Sequence, residues 1–299
     1  MRRPEVGRVR SSAMEMGKPR VLLDGIAFGE SPRWYGDRLW FADWGAGEVV
    51  AVGADGGSEV VLRPDFPTFP MCVTWLPDGG GLLVVSSSQD RVLRRAADGS
   101  LVPYADLGPV AHGWNEIVAD GRGHVYVNGG GFDLMAGEDF KPGVIALVTP
   151  DGAARQVADG IAFPNGMLVT PDDSTLIVAE SYANRLTAFD IGPDGSLSRR
   201  RVWADLGDGC PDGICLDAEG AVWYADVPNQ RCVRVREGGE VLASVELDRG
   251  CFACALGGPD GRTLFLVATE WAGVENARGG PRTGQLLTVA APAPGVGRP

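Results

Sequence analysis

Residues 165–191 read NGMLVTPDDSTLIVAESYANRLTAFDI. An apolar run, a Pro-Asp turn, a second apolar run, a polar break and a third apolar run follow in close succession. Short apolar runs punctuated by Pro, Asp and Gly are β-strands joined by tight turns, because these residues supply the backbone angles that turns need. The pattern is repeated. From Asp212 the chain gives GICLDAEGAVWYADV and then QRCVRVREGG; from Glu30, SPRWYGDRLWFADW and then GAGEVVAV; from Met71, CVTWLPDGGGLLVVSSS and then DRVLRRA. From Asn115 it gives EIVADGRGHVYVNG, with VIALVTPDG after an insertion, and from Cys254, ALGGPDGRTLFLVAT with GQLLTVA further on. Six units spaced by roughly 40 to 50 residues correspond to the blades of a propeller. One small sheet cannot bury both of its faces, whereas stacking six around an axis buries them and leaves only short edges. The 44 Gly and 21 Pro suit a chain of many short strands and turns. The expectation is an all-β, six-bladed β-propeller over residues 21–290 with a metal site on its axis. A β-sandwich would leave six copies of one pattern unexplained.

The ends carry no repeat. Residues 1–20, MRRPEVGRVRSSAMEMGKPR, are basic and lack an apolar core, unlike a signal peptide or a membrane span. They are expected to form a disordered extension, with Met14 or Met16 as an alternative start, and residues 291–299 a flexible tail. The net charge of −12 repels phosphate backbones and argues against a nucleic-acid partner. Of the six cysteines (Cys72, Cys210, Cys215, Cys232, Cys251, Cys254), most lie in strand patterns, where a thiol behaves as a small hydrophobe. Cys251 and Cys254 form a lone CxxC. With no second pair and only two histidines, a zinc–thiolate site lacks ligands. A cytoplasmic, thiol-reducing compartment, no membrane association, and a monomer or weak homo-oligomer complete this expectation.

Four oxygen-bearing side chains stand at the same point of four repeats, just before the first apolar run: Glu30, Asn115, Asn165 and Asp212. In a closed ring they converge on the axis. Two carboxylates and two amide oxygens make the oxygen-only set that hard divalent cations take, with positions left for water and substrate. Ca2+ suits it first, with Zn2+, Mn2+ or Mg2+ as alternatives. A cation there would polarise a carbonyl, and Asp212 could take a proton from an attacking water. Taken singly, Asn165 before Gly166 and Asp212 before Gly213 are turn residues; the equivalence of four positions is what points to a site. Glu30, flanked by Phe28 and Pro32 on an entering strand, needs a partner once buried. No Gly-x-Ser-x-Gly elbow is present. His124 reads as a core or edge residue of its strand, and His112 as a residue within reach of the channel mouth.

The segments Gly29-Glu30-Ser31-Pro32-Arg33-Trp34, Phe163-Pro164-Asn165-Gly166, Pro211-Asp212-Gly213 and Gly257-Gly258-Pro259-Asp260-Gly261 resemble, in that order, the motifs of the family of senescence marker protein (regucalcin), gluconolactonase and luciferin-regenerating enzyme. The resemblance spans essentially the whole chain beyond residue 20. It implies a six-bladed propeller with one axial divalent cation, usually calcium, held by Glu30, Asn165 and Asp212. It implies Asn115 on the substrate side, on the metal or near it, Asp212 as the base, and opening of a sugar lactone to the aldonic acid. One departure concerns the substrate. Family members that act on sugar lactones tend to carry an Arg two residues before the Asn, where this chain has Gly113 in His112-Gly113-Trp114-Asn115-Glu116. Glycines 129–131 and Phe132 stand in place of a polar wall. The expected pocket is wider and less polar than a sugar pocket, with Asn115, Trp114, His112, Phe163 and Phe252 meeting the substrate and Trp44 a further apolar wall. Three functions fit: a calcium-dependent lactonase acting on a small-molecule lactone; other chemistry on the same metal, such as phosphotriester hydrolysis or cyclisation of a secondary metabolite; and a non-catalytic calcium-binding propeller.

Overall fold

Tight turns make consecutive strands pair antiparallel with their chain neighbours. The computed structural model describes residues 14–132, 137–271, 273 and 280–297, and it builds six such sheets around an axis. The first strand of each repeat is innermost: β3 (Gly29–Tyr35), β7 (Met71–Trp75), β11 (Trp114–Ala119), β15 (Pro164–Val169), β19 (Pro211–Leu216) and β23 (Gly250–Gly257). These six lie side by side in cyclic order, and β23 against β3 completes the ring. The second strands are β4 (Arg38–Asp43), β8 (Leu82–Ser86), β12 (Val125–Gly129), β16 (Thr175–Glu180), β20 (Val222–Asp226) and β24 (Thr263–Thr269). The fold is the expected all-β, six-bladed propeller. Each blade has at least four strands rather than the three visible in the repeats. Outermost strands such as β6 (Ser58–Leu62) and β18 (Leu197–Asp205) are mostly exposed, so they carry little apolar pattern.

Six apolar clusters fill the six wedges between neighbouring blades. Leu186, Ala204, Val222 and Val233 pack between the fourth and fifth blades, and Phe41, Val50, Phe265 and Leu286 between the sixth and first. Each sheet therefore buries both faces, which a lone four-stranded sheet cannot do. At the hairpin that meets the preceding blade in the fifth repeat, Gly239 has φ +91°, and an added Cβ would lie 2.3 Å from Asp205 O. Only glycine combines that backbone angle with that close approach.

The sixth repeat has no fourth strand after β25 (Gly284–Ala290). β2 (Arg20–Ile26), from the start of the propeller, takes the place, pairing with β25 from Arg20↔Thr288 to Ile26↔Gly284. The ring is thus closed by backbone hydrogen bonds between its two ends.

Both ends differ from expectation. Met14–Glu15 form β1, a parallel strand on β22 (Val241–Glu246), and Met16 packs on the cluster between the fifth and sixth blades. The extension expected over residues 1–20 is therefore structured from Met14 onward, and residues 1–13 lie outside the described residues. The tail expected to be flexible over 291–299 is held down to residue 297. Arg262 Nη1 donates to Pro292 O (2.6 Å), Ala218 N to Pro294 O (2.8 Å) and Gly295 N to Gly261 O (2.9 Å). Gly295, Val296 and Gly297 cap a cavity of about 70 Å³ at the far end of the channel, lined also by Arg33, Cys215 and Cys254. The six cysteines are free thiols, four of them buried. His124 is buried against Asp120, with Nδ1 3.0 Å from Oδ2. Among the described residues no helix is long and apolar enough to cross a membrane.

A chain starting at Pro19, which lacks β1, is expected to melt within about 4 °C of the full chain. A chain starting at Ala27 also lacks β2 and leaves β25 unpaired. It is expected to lose the cooperative transition in a circular-dichroism melt, and a melt like that of the full chain would show that ring closure does not depend on this strand.

Candidate functional site

Pairing of the innermost strands is interrupted at one place. Glu30↔Ala42 is followed by Arg33↔Trp40, Trp114↔Gly129 by Ile117↔Val127, Pro164↔Glu180 by Met167↔Val178, and Pro211↔Asp226 by Ile214↔Tyr224. In each case the inner strand carries one residue more than its partner. Such a β-bulge breaks the ladder and re-aims a side chain. Glu30, Asn115, Asn165 and Asp212 each stand at the start of a bulge, one residue after the position opposite the last residue of the second strand. β23 bulges next to Phe252, whereas β7 runs through the same point in register.

Three of these four turns are held by a buried carboxylate at the end of the second strand of the same blade. Asp43 accepts from Ala27 N (3.0 Å) and Phe28 N (2.9 Å), just before Glu30. Glu180 accepts from Ala162 N (2.8 Å), ahead of Asn165, and is itself gripped by Arg185, Thr187 and Arg200. Asp226 accepts from Cys210 N (3.3 Å), ahead of Asp212, and from Asn229 and Arg231. A buried carboxylate that accepts backbone N–H groups fixes a turn that has no ladder of its own. In the third blade Gly129 stands in the corresponding place. There an added Cβ would lie 2.4 Å from Gly113 O and 3.0 Å from Asn115 N, at φ +147°.

The electrostatics of the site follow from burial. Burial pushes the Glu30 carboxyl well above the usual carboxylate range, and the charges of Asp212 and Glu116 push it further. The Asp212 carboxyl is likewise raised, by burial first and then by Glu116, while a hydrogen bond from the Asn165 side chain pulls the other way. Asp212 Oδ1 is buried and has no hydrogen-bond partner. Glu30 Oε2 accepts from Ser31 N (3.2 Å), and Ser31 itself is fully buried at φ +52°. The guanidinium in the channel, Arg33, is engaged elsewhere. Its Nη2 donates to Glu116 Oε1 (2.9 Å) and Ile117 O (3.0 Å), forming a buried pair that bridges the first and third blades.

The donors therefore suit a hard divalent cation: two carboxyl groups short of positive charge, one orphaned oxygen, and amide oxygens beside them. Among the described residues no three His, Cys, Asp or Glu side chains come together as a metal cluster, so the set depends on its amides. The geometry joins Glu30, Asp212 and Asn165 electrostatically and through a hydrogen bond. Asn115 occupies the equivalent bulge and is half-buried. Glu116, Arg33 and Asn128 also belong to this network and were not anticipated. Asn128 donates from Nδ2 to Asn165 O (2.6 Å) and accepts from Glu116 N (3.2 Å). Their signal was a charged or polar residue inside an apolar run.

One of the expected substrate contacts needs correction. Trp114 is fully buried in the wedge between the second and third blades, its Nε1 donating to Ala111 O (3.1 Å), so it supports the Asn115 turn from behind. His112 is 78% exposed, and its Nδ1 lies 2.5 Å from Asp90 Oδ2 on the rim. Phe252 packs edge-on against Phe28 at 4.8 Å, Trp44 stacks on Phe28 at 5.6 Å, and Phe163 stacks on Tyr182 at 4.5 Å.

Residues 28–270 match the model of the SMP-30/gluconolactonase/LRE-like region. The chain belongs to this family. It is 24% identical over 255 residues to the pentonolactonase XacC of Haloferax volcanii, across 83% of this chain and 84% of that protein. It is 26% identical over 282 residues to the regucalcin of Gallus gallus, across 87% and 91%. Among solved structures, the calcium-binding protein regucalcin from Agrobacterium tumefaciens has the same fold, with a TM-score of 0.78 at 22% identity over 97% of this chain and 98% of that one. In this family member Glu30, Asn165 and Asp212 stand at the equivalent bulges of the first, fourth and fifth blades.

With both carboxyls raised, the folded metal-free protein holds protons that the unfolded chain has already released. Its stability then falls as pH rises from the ordinary carboxylate range through the raised values. In chelator, Asp212→Asn is expected to melt above the unsubstituted protein at about pH 8, with the gain shrinking as pH falls through that window. Scanning calorimetry checks this, and a variant less stable at every pH would show that the pair is not repulsive.

Proposed function

We propose that this protein is a metal-dependent lactonase that opens a lactone ring with water to give the hydroxy acid. The observation that carries the reading is the buried pair Glu30 and Asp212 on the axis, with Asp212 Oδ1 unpartnered and the Asn165 amide beside it. Burying two like charges is unfavourable unless a cation compensates them. Glu30, Asn165 and Asp212 would hold a divalent cation, with Asn115 on it or facing the substrate. Oxygen donors suit calcium, magnesium or manganese better than zinc. When bound, the cation supplies a Lewis acid for the ester carbonyl. Relatives named pentonolactonase and regucalcin, and a calcium-binding protein of the same fold, support this reading.

The chain's own residues then divide the work. Ionised Asp212 takes a proton from the water whose oxygen attacks the carbonyl carbon. As the ring C–O bond breaks, the leaving oxygen takes that proton, which restores the carboxylate and leaves a hydroxy acid. Asn115, half-buried at its bulge, offers its amide to the substrate. Glu116 keeps Arg33 occupied, so its guanidinium does not neutralise Glu30 or Asp212 in place of the cation.

A pH-indicator assay over a lactone panel, with calcium and with chelator, tests this. Acid release is expected only with the cation, and Asp212→Asn is expected to lower it about 10²–10⁴-fold while remaining folded. Full turnover in that variant would remove Asp212 as the base, and turnover insensitive to chelator would remove the cation.

A further inference from the structure

The loops on the face that carries Glu30, Asn115, Asn165 and Asp212 hold two aromatic clusters that the chemistry above does not use. One gathers on Phe28, whose ring lies 5.6 Å from Trp44, 5.5 Å from Phe69, 4.8 Å from Phe252 and 6.0 Å from Trp271. It belongs to the sixth, first and second blades. The other joins Phe132, Phe140, Phe163 and Tyr182 of the third and fourth blades, with ring centres 4.5–6.4 Å apart. In a six-bladed ring the first blade faces the fourth, so the clusters stand on opposite sides of the site.

Three observations distinguish these clusters from ordinary packing. Phe140, Tyr182 and Trp271 remain 46%, 52% and 44% exposed, on connections that follow the second strands of their blades. Large aromatic surface left in water beside a cleft marks a binding surface. Phe163, two residues before Asn165, is held at φ +59°, a conformation unfavourable for a bulky side chain. Ser181 N donating to Phe163 O (3.1 Å) keeps it there, and its ring lies flat on Tyr182 with an interplanar angle of 10°. Backbone strain of this kind concentrates at ligand sites. Finally, the described rim residues next to Asn115 and the first aromatic cluster offer few free polar groups to hydroxyls. Gly113 and glycines 129–131 present no side chain, His112 is paired with Asp90, and Ser88 donates to Pro67 O while lying 3.3 Å from Ser86 Oγ.

We propose that the substrate is a lactone bearing an aromatic ring or comparable flat apolar group, held between these two aromatic walls, rather than a polyhydroxylated sugar lactone. This deepens the lactonase reading and rests on it for the word lactone. A flat ring gains from offset or edge contacts with Phe163, Tyr182, Phe252 and Trp271. A sugar lactone would bring several hydroxyls against aromatic faces that leave them without partners, and each would carry a desolvation cost.

The test separates binding from turnover by using lactams, whose rings resist opening. The calcium-loaded full chain is titrated in a calorimeter with 3,4-dihydroquinolin-2-one and with gluconolactam. The aromatic lactam is expected to bind at least about tenfold more tightly, and Tyr182→Ala to erase most of that ratio while Tyr182→Phe keeps it. Tyr182 is surface-exposed, so the alanine variant folds, and a thermal melt verifies it. Equal or tighter binding of gluconolactam, no binding of the aromatic lactam, or an unchanged ratio in Tyr182→Ala would each overturn the proposal. The parallel assay with dihydrocoumarin and gluconolactone tells the two claims apart. Opening of gluconolactone in preference would sink the aromatic substrate and leave the lactonase standing. Tight aromatic binding with no lactone opened would sink the lactonase and support the aromatic walls.

Discussion

Two carboxyl groups, Glu30 and Asp212, are buried within reach of one another's charge, and the guanidinium of Arg33 is tied to a third, Glu116. A fold that relied on apolar packing alone would not place them there, because each raises the other's cost of ionisation. The ring geometry makes the arrangement unavoidable once the sequence is chosen. Six innermost strands start at the same end, so any polar residue at their first bulge faces the axis together with its counterparts. A divalent cation would turn this unfavourable field into a binding site. A proton on each carboxyl is the alternative way to relieve it, and the two compete.

Positioning is accomplished by a device repeated in three blades. A carboxylate at the end of the second strand, Asp43, Glu180 or Asp226, catches the backbone just ahead of Glu30, Asn165 or Asp212. The ligand turns are thus clamped from within their own blade, and the wedge clusters clamp each blade to the next. Sites built on such supported, rigid elements keep their geometry without the ligand. The third blade reaches the same bulge differently, with Gly129 allowing close backbone approach and the buried Trp114 packed behind Asn115.

The blades were legible because their first three strands repeat an apolar pattern that turns punctuate, and the four candidate ligands because they recur at one phase of that pattern. The fourth strands were not legible, since strands such as β18 carry an exposed basic run, Arg199 to Arg201, before a short apolar one and lack a regular alternation to mark them. The clamping acids were missed although their trace is in the chain. Ala42-Asp43, Ala179-Glu180 and Ala225-Asp226 close the second strand of three repeats, yet an acid at a strand end looks like an ordinary turn residue until its register is known. Trp114 was misplaced for a related reason. Side chains next to each other in a strand point to opposite faces, so the neighbour of a channel residue packs between blades. The tail failed on composition: APAPGVGRP has no strand pattern, but its backbone carbonyls and N–H groups find partners in the fifth and sixth blades.

The account stands on the claim that Glu30 and Asp212 take up a hard cation in exchange for protons. Titration calorimetry of calcium into metal-free protein, near neutral pH in two buffers of different ionisation enthalpy, measures that exchange directly. One-site binding with proton release, weakened in Glu30→Gln, is the predicted result. No binding, or binding that Glu30→Gln leaves unchanged, would contradict it.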